Sequence, residues 1–535
     1  MNPAQPSHAR PARSEISRFL AHAWPYLALA GIIVLAAVLR MHDIVANPPG
    51  FFSDEASFGY NAWSILHTAR DEHDGLMPVF FRAFGEYKLP VYIYSQVPLV
   101  ALLGLSELPV RLTTALYGTA TVVALYLLIN ELFRDRLFAL CAAATLAVLP
   151  WHVAYSRTGL GDITVHVFFL VLGLYLFAVG LRRPALWPVA GLAFALALFS
   201  YRAAWVLLPP ILVVLIALYR RELWRNRWYA LGAAVVLLAA GVLIARHLLG
   251  VENDRAQDQW ILSIDESHVE SAKRFLSQYG AHFTPGFLFR EERTNLRHVI
   301  PGQGWLYLWQ APFIALGVLA LLWQPSRPKL LALALLALYP LPAAVTISSP
   351  ETSRAFVGTV AFSIVTAYGL VSAGRLLGAW RPERLPRLGR ALAVCGSAGV
   401  VIAAAFGLAL FLRTYHGSYQ TNAAGREGWQ YGARQVLEYF VAEEDNYDQL
   451  IMDGHGPFND AAIFFEFYAH DCERCTLGKW DGAGNPDKYN PEKRQLFALQ
   501  PESMVLEYEY KELGRLYYPN GELAFVFAEI VGKGR

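Results

Sequence analysis

Charge, cysteine and internal repetition are all in short supply. Only 16% of the 535 residues are Asp, Glu, Lys or Arg, against roughly 25% in soluble domains. Hydrophobic residues make up 55%, so water cannot be the solvent on every side. The four cysteines are too few for a disulfide scaffold. No repeat is evident, and no low-complexity tract follows the first residues. No small-residue cleavage site follows the apolar run Trp24 to Leu39, so that run reads as a retained first helix rather than a signal peptide.

What is abundant is charge-poor apolar sequence. Spans are expected near 24–46, 110–133, 137–156, 161–181, 185–201, 203–219, 228–248, 304–323, 328–347, 354–374 and 391–412, each near the ~20 residues needed to cross a bilayer core. Backbone groups in lipid must be satisfied within the segment, so these spans are helices. The connections holding Arg134 and Arg136, Arg182 and Arg183, Arg220 to Arg227, Arg327 and Lys329, and Arg375 to Arg390 are basic. With about eleven spans they share one side with Arg10, Arg13 and Arg18, which is then cytoplasmic. Residues 91–105 are apolar but short and contain Pro98. A span there would invert the charge pattern, so they read as a helix at the outer interface.

The fold class expected is a polytopic α-helical membrane protein with a C-terminal extracytoplasmic α/β domain. The tail 1–23 is cytoplasmic and the transmembrane domain runs over 24–412. Its outer loops are 48–109 and 250–303, and the outer domain is 413–535. In that domain 427–444 and 458–469 look helical, while Tyr447 to Met452 and Leu523 to Ile530 look like strands. Cys472 and Cys475 form CERC. A disulfide in an oxidising compartment is the favoured reading, since half of a zinc site or a redox pair lacks visible partners. Cys141 and Cys395 fall in spans as inert core residues.

The most informative stretch is PPGFFSDEASFGYNAWSILHTARDEHDGLMPVFFRAFGEYKLP, Pro48 to Pro90. It is long, polar and aromatic. Loops of that length are functional or disordered, and the composition argues against disorder. Adjacent carboxylates Asp54 and Glu55 could act as a general base toward a hydroxyl. Lys88 could hold a phosphate as a point charge. The competing reading is that Ser53 caps a helix whose N-terminus favours the two carboxylates. The two readings stand side by side at this point.

SDEASFGYNAWSI, RDEHDGLMPVFFRAFGEYKLPVYIY and LPVRLTTALYGTATVVALYLL together resemble the dolichyl-phosphate-mannose:protein mannosyltransferase family (glycosyltransferase family 39). Bacterial aminoarabinose transferases acting on lipid A are similar too. The likeness is strongest over about 40–205. Ser156-Arg157-Thr158 and Asp162 match a further loop loosely. A family motif of His, two residues and Arg meets Pro350-Glu351-Thr352-Ser353-Arg354 here, with Glu351 where the His would stand.

The resemblance implies a GT-C fold and transfer of a hexose or pentose from a polyprenyl phosphate, with inversion. Asp54 would be the general base, with Glu55 beside it. Lys88 and Arg354 would bind the donor phosphate, with Arg157 a weaker candidate; Arg202 is a further candidate from its own position near the outer end of two spans. Asp162, Glu351 and Glu86 are candidate acidic partners. No cofactor is required, although a divalent metal is compatible with oxygen ligands. The expected partners are the lipid-linked sugar, membrane lipid and a glycan, lipid or protein acceptor, with no nucleic acid. The expected place is a bacterial cytoplasmic membrane, with the active site outside. Structural readings compete at several positions. Arg157 and Asp162 also fit interfacial roles, and His152 and His166 fit satisfied core histidines. A secondary transporter is the alternative function, although transporters often show repeated halves.

Overall fold

The computed structural model describes residues 13–250, 259–261, 264, 267–290, 295–379, 386–425, 428–454, 458–478, 489–504 and 508–533. Parts of the expected 1–23 tail, the 250–303 loop and the Arg375–Arg390 connection lie outside those residues. All eleven expected spans are largely helical. Among the described residues, seven helices are long and apolar enough to cross a membrane. The other four expected spans carry shorter helices, Arg136–Val148, Trp187–Leu198, Ala311–Leu322 and Arg327–Leu338. The helix Pro90–Leu103 has a length of about 21 Å at 1.5 Å per residue. That is short of a ~30 Å hydrocarbon core.

Two of the short helices end at breaks that periodicity did not reveal. Arg136–Val148 stops at Leu149, which is extended at φ −65° and ψ 122°, and Pro150 starts a new helix to Tyr155. Arg327–Leu338 stops before Pro340, and Leu341–Ala344 makes one further turn. A break frees carbonyl groups that lipid cannot satisfy. Buried Arg40 answers the first one. It donates to the carbonyls of Ala147 at 3.0 Å and Leu146 at 3.3 Å, and meets His152 Nδ1 at 2.8 Å. Arg157 does the same for the end of the first helix, donating to Leu39 O at 2.8 Å, His42 O at 2.7 Å and Asn47 O at 3.0 Å.

The basic connections gather at one end of the bundle and lean on acidic groups there. Arg134 and Arg182 both bind Glu131, at 2.8 and 2.5 Å. Arg327 binds Glu222 at 2.6 Å, and Arg375 pairs with Asp135. The opposite end carries the Pro48–Pro90 stretch and the C-terminal part. In that stretch, the helix Ser53–Thr68 is followed by a hairpin of β1 (Phe81–Ala83) and β2 (Glu86–Lys88).

The C-terminal part is α/β. Its strands are β3 (Gln449–Asp453), β4 (Cys475–Gly478), β5 (Gln495–Leu499), β6 (Tyr508–Tyr517) and β7 (Leu523–Lys533), in the order β4-β3-β5-β7-β6. The β4-β3-β5 pairs are parallel, and β7 joins antiparallel. Sequence reading found β3 and β7 but missed β4, β5 and β6. Its helices are Ala433–Glu443 and Ala462–Tyr468, both shorter than expected. Cys472 and Cys475 are joined as a disulfide at the entry to β4. Phe467 packs on Phe51 at 5.0 Å, and Arg434 pairs with Glu107 at 3.3 Å. These contacts seat the sheet domain on the end of the bundle that holds Asp54.

Candidate active site

The site begins at the first turn of Ser53–Thr68. Successive helical residues point about 100° apart, so neighbouring Asp54 and Glu55 part company. Glu55 turns into the core and is fully buried. Its carboxylate accepts from Phe52 N at 2.8 Å, from Arg111 Nε and Nη2 at 3.1 Å each, and from Gly159 N. A Cβ on Gly159 would lie 2.9 Å from Glu55 Cγ, so that approach needs glycine. Arg111 also donates to Pro48 O at 2.9 Å and Gly50 O at 2.6 Å. It ties down the chain that leads into the helix. The capping expected of Ser53 is done otherwise. Ser53 is the first helical residue, and Glu55 returns to the Phe52 amide.

Asp54 points the other way, into a cavity of about 640 Å³. Its carboxylate pairs with Lys88 at 2.9 Å. The Lys88 side chain is 5% exposed, and its ammonium lies 4.4 Å from the Phe58 ring and 4.6 Å from the Phe84 ring. Cation–π attraction strengthens when the cation is desolvated, so the two rings hold Lys88 at the Asp54 oxygen. Burial pushes the nearby Glu72 carboxyl above its usual range, and the positive charge of Lys88 works against that shift. The hairpin that carries Lys88 is held by Arg202, which donates to Tyr87 O at 2.7 Å and lies 4.0 Å from Glu86.

The remaining walls come from distant segments. Asp162 and Tyr201 line the cavity beside Arg202. Arg354 reaches it from the loop 345–357, held by Thr346 Oγ1 at 2.7 Å and by Gln259. Arg297 and His298 complete the lining. The Arg297 guanidinium stacks on Phe52 at 4.0 Å. Burial draws its pKa below the ordinary arginine value, and the charges of Asp54 and Glu351 oppose that shift. Three carboxylates (Asp54, Glu86 and Asp162), three arginines (Arg202, Arg297 and Arg354) and Lys88 therefore line one cavity.

Six of the sequence candidates meet on that lining: Asp54, Glu86, Lys88, Asp162, Arg202 and Arg354. Glu351 stands behind it, accepting from Ser353 N at 3.1 Å and Ser353 Oγ at 3.0 Å. Glu55 and Arg157 are not on the lining. Glu55 is engaged by Arg111 and two backbone amides, and Arg157 by backbone carbonyls. His152 binds Arg40, and His166 Nδ1 meets Ile163 O at 2.6 Å; neither histidine is on the cavity lining. Sequence reading missed Arg297 and His298. His298 lies 3.8 Å from Glu351 and 3.0 Å from the Tyr155 hydroxyl. The signal available was an Arg-His pair inside the long loop between two expected spans. Among the described residues no group of three or more His, Cys, Asp or Glu is arranged to hold a metal ion.

Residues 88–244 match the family model of dolichyl-phosphate-mannose-protein mannosyltransferases. No curated protein matches the chain at significance. Among solved structures, the oligosaccharyltransferase AglB of Archaeoglobus fulgidus, in complex with an inhibitory peptide and a dolichol-phosphate, is similar at TM-score 0.53 and 14% identity. The match covers 85% of this chain and 64% of that one, so the chain spans under two thirds of AglB. ArnT of Cupriavidus metallidurans, bound to undecaprenyl phosphate, is similar at TM-score 0.51 and 14% identity. There the match covers 95% of this chain and 98% of the other. The fold is GT-C, as the resemblance implied.

Proposed function

We propose that this protein is an integral membrane glycosyltransferase moving a hexose or pentose from a polyprenyl phosphate to an acceptor hydroxyl. The observation that carries the reading is the meeting of Asp54 with Lys88, Arg202, Arg297 and Arg354 in one cavity at the helix ends. Asp54 takes the proton of the acceptor hydroxyl, whose oxygen attacks the anomeric carbon. The bond from that carbon to the phosphate oxygen breaks, with inversion, and polyprenyl phosphate leaves. Negative charge develops on the leaving oxygen, where the guanidinium and ammonium groups act. AglB and ArnT hold lipid phosphates in similar folds, which supports a lipid-linked donor. Mixing the purified protein with a panel of polyprenyl-phosphate sugars tests the reading by mass spectrometry of released lipid phosphate and glycosylated acceptor. Absence of release from every donor and acceptor overturns it.

The four cations already supply the charge a metal would bring to the leaving phosphate. Transfer is therefore expected to persist in excess EDTA, at a rate within about twofold of the untreated enzyme. Loss of turnover with recovery on adding Mg²⁺ or Mn²⁺ would contradict this.

Arg297→Ala and Arg354→Ala are each expected to lower kcat by roughly 10²–10³-fold, the usual loss for one preorganised charge-stabilising donor. Arg157→Lys should leave donor kinetics unchanged in whatever fraction folds. Wild-type kinetics in both alanine variants would move the phosphate site elsewhere.

The basic connections at the far end support an extracytoplasmic site in a bacterial cytoplasmic membrane, and the Cys472–Cys475 disulfide agrees with that side. In a Cys395→Ser background, cysteine at exposed Asn459 should react with an impermeant thiol reagent on intact cells, and cysteine at exposed Ser326 should not. The reverse pattern would invert the protein.

A further inference from the structure

A second cavity, of about 410 Å³, lies where the sheet domain meets the membrane bundle. Three segments far apart in sequence build it. The first is the exit of the first membrane helix, at Val45 to Phe51. The second is the end of the last membrane helix, at His416 to Thr421. The third is the entry to the sheet domain, at Gln430 to Gln435. It does not share a lining residue with the Asp54 cavity. The two are separated by one short stretch of chain, since Phe51 lines one and Phe52 lines the other.

The chemistry of its wall is specific. Gln430 is 2% exposed, and its Oε1 accepts from Ser53 N at 3.1 Å. Its Nε2 donates to nothing among the described residues, although the side chain lines the cavity. The amide nitrogen belongs to a side chain on the cavity wall, so a ligand oxygen there would meet a donor that no described residue engages. Arg434 and Glu107 form a pair at 3.3 Å in the same wall, and Tyr468 donates to Glu107 at 2.6 Å. The paired charges cancel, which disfavours a strongly ionic ligand. Gln435 and Thr421 add polar groups, and Tyr431 and Phe51 add aromatic surface. Amides and a neutralised Arg–Glu pair beside aromatic rings match alternating hydroxyls and C–H faces. The volume lies within the ~300–1,000 Å³ of small-molecule sites.

We infer that this second cavity binds a carbohydrate other than the one transferred, as a docking subsite for the non-reacting part of a glycan acceptor. The inference rests on the transferase reading for its role, but not for the binding itself. Its place suits that role. A sugar accepting from Gln430 Nε2 polarises the amide and strengthens the Gln430–Ser53 bond at the turn that carries Asp54. The cavity also opens beside the end of the helix Pro386–Thr414, whose membrane portion is almost wholly exposed in the isolated chain. A sugar borne on a lipid could reach it from the bilayer surface, and a free glycan could reach it from water.

The test is saturation-transfer NMR on the full chain in nanodiscs, without donor. The probes are mannotriose, cellotriose, chitotriose, deacylated lipopolysaccharide core oligosaccharide and intact lipopolysaccharide. Gln435→Trp fills the cavity from a half-exposed position with no hydrogen-bond partner among the described residues. Wild-type protein is expected to give transfer to at least one probe, and Gln435→Trp to reduce it at least tenfold with unchanged thermal stability. Transfer to a free oligosaccharide identifies the sugar alone as the ligand, and transfer to intact lipopolysaccharide alone identifies a glycolipid. Either supports the inference. No transfer to any probe, or equal transfer in Gln435→Trp, overturns it. Polyprenyl-phosphate binding, measured in both proteins by protection of Arg297 and Arg354 from phenylglyoxal, reports the catalytic cavity separately. Protection with no glycan signal rejects the docking site alone. A glycan signal without protection rejects the donor reading alone.

Discussion

Asp54→Asn is expected to insert, fold and bind the polyprenyl-phosphate donor, yet to lose transfer by roughly 10²–10⁴-fold, the usual span for loss of a general base. The amide keeps the shape of the carboxylate and can still meet Lys88, but it cannot take a proton. Lys88 loses its anionic partner but keeps the Phe58 and Phe84 faces and the Asp54 carbonyl at 3.4 Å. The stability loss should therefore be modest. Asp54→Ala should behave alike in both respects, because Glu55 rather than Asp54 closes the helix start. The comparison to make is single-turnover release of polyprenyl phosphate beside thermal unfolding. Near-wild-type turnover in Asp54→Asn would remove Asp54 from the chemistry, whatever its effect on stability.

The neighbouring position is expected to fail for the opposite reason. Glu55→Ala leaves Arg111 fully buried without its anion, and strips acceptors from the Phe52 and Gly159 amides. Breaking one partner of a buried pair typically costs about 3–5 kcal/mol. We expect Glu55→Ala to express poorly and unfold at much lower denaturant concentration. Glu55→Gln should lie between, since it keeps one acceptor oxygen. In contrast to Asp54→Asn, the folded fraction of Glu55→Gln should keep much of its turnover. A double variant, Glu55→Ala with Arg111→Met, should recover part of the stability, because contacting residues are not additive. If Glu55→Ala unfolds like wild type, the pair does not hold the turn.

These two predictions show where local sequence stops being informative. SDE at 53–55 carried both a capping and a catalytic reading. The two readings fall on adjacent residues, and helical rotation sends Glu55 into the core and Asp54 to the cavity. Arg157 shows the same limit. As a lone arginine in an Arg-containing loop it fitted a phosphate ligand, but it lies among the carbonyls at the end of the first membrane helix. A segment's charge is visible in sequence, whereas its partner lies across the fold.

The broad architecture was legible because it rests on composition along the chain. Apolar runs must become helices in lipid, and the basic connections sort to one end whatever the packing. The Pro48–Pro90 stretch was visible because a long aromatic, acidic loop has no other business on such a protein. The helix breaks at Leu149 and Pro340 were hidden, because apolar periodicity runs straight through them. The strands β4, β5 and β6 were hidden because edge and mixed strands carry weak alternation. The cavity belongs wholly to the tertiary structure. Lys88 arrives on a hairpin, Arg202 between two membrane helices, Arg297 in a long loop between spans and Arg354 after a broken helix. Sequence alone determined that the chain is a multi-pass membrane protein and singled out the stretch that holds Asp54 and Glu55. Packing decided which of the two faces the cavity and which four cations join it, because side-chain direction and long-range contact are not properties of any local stretch.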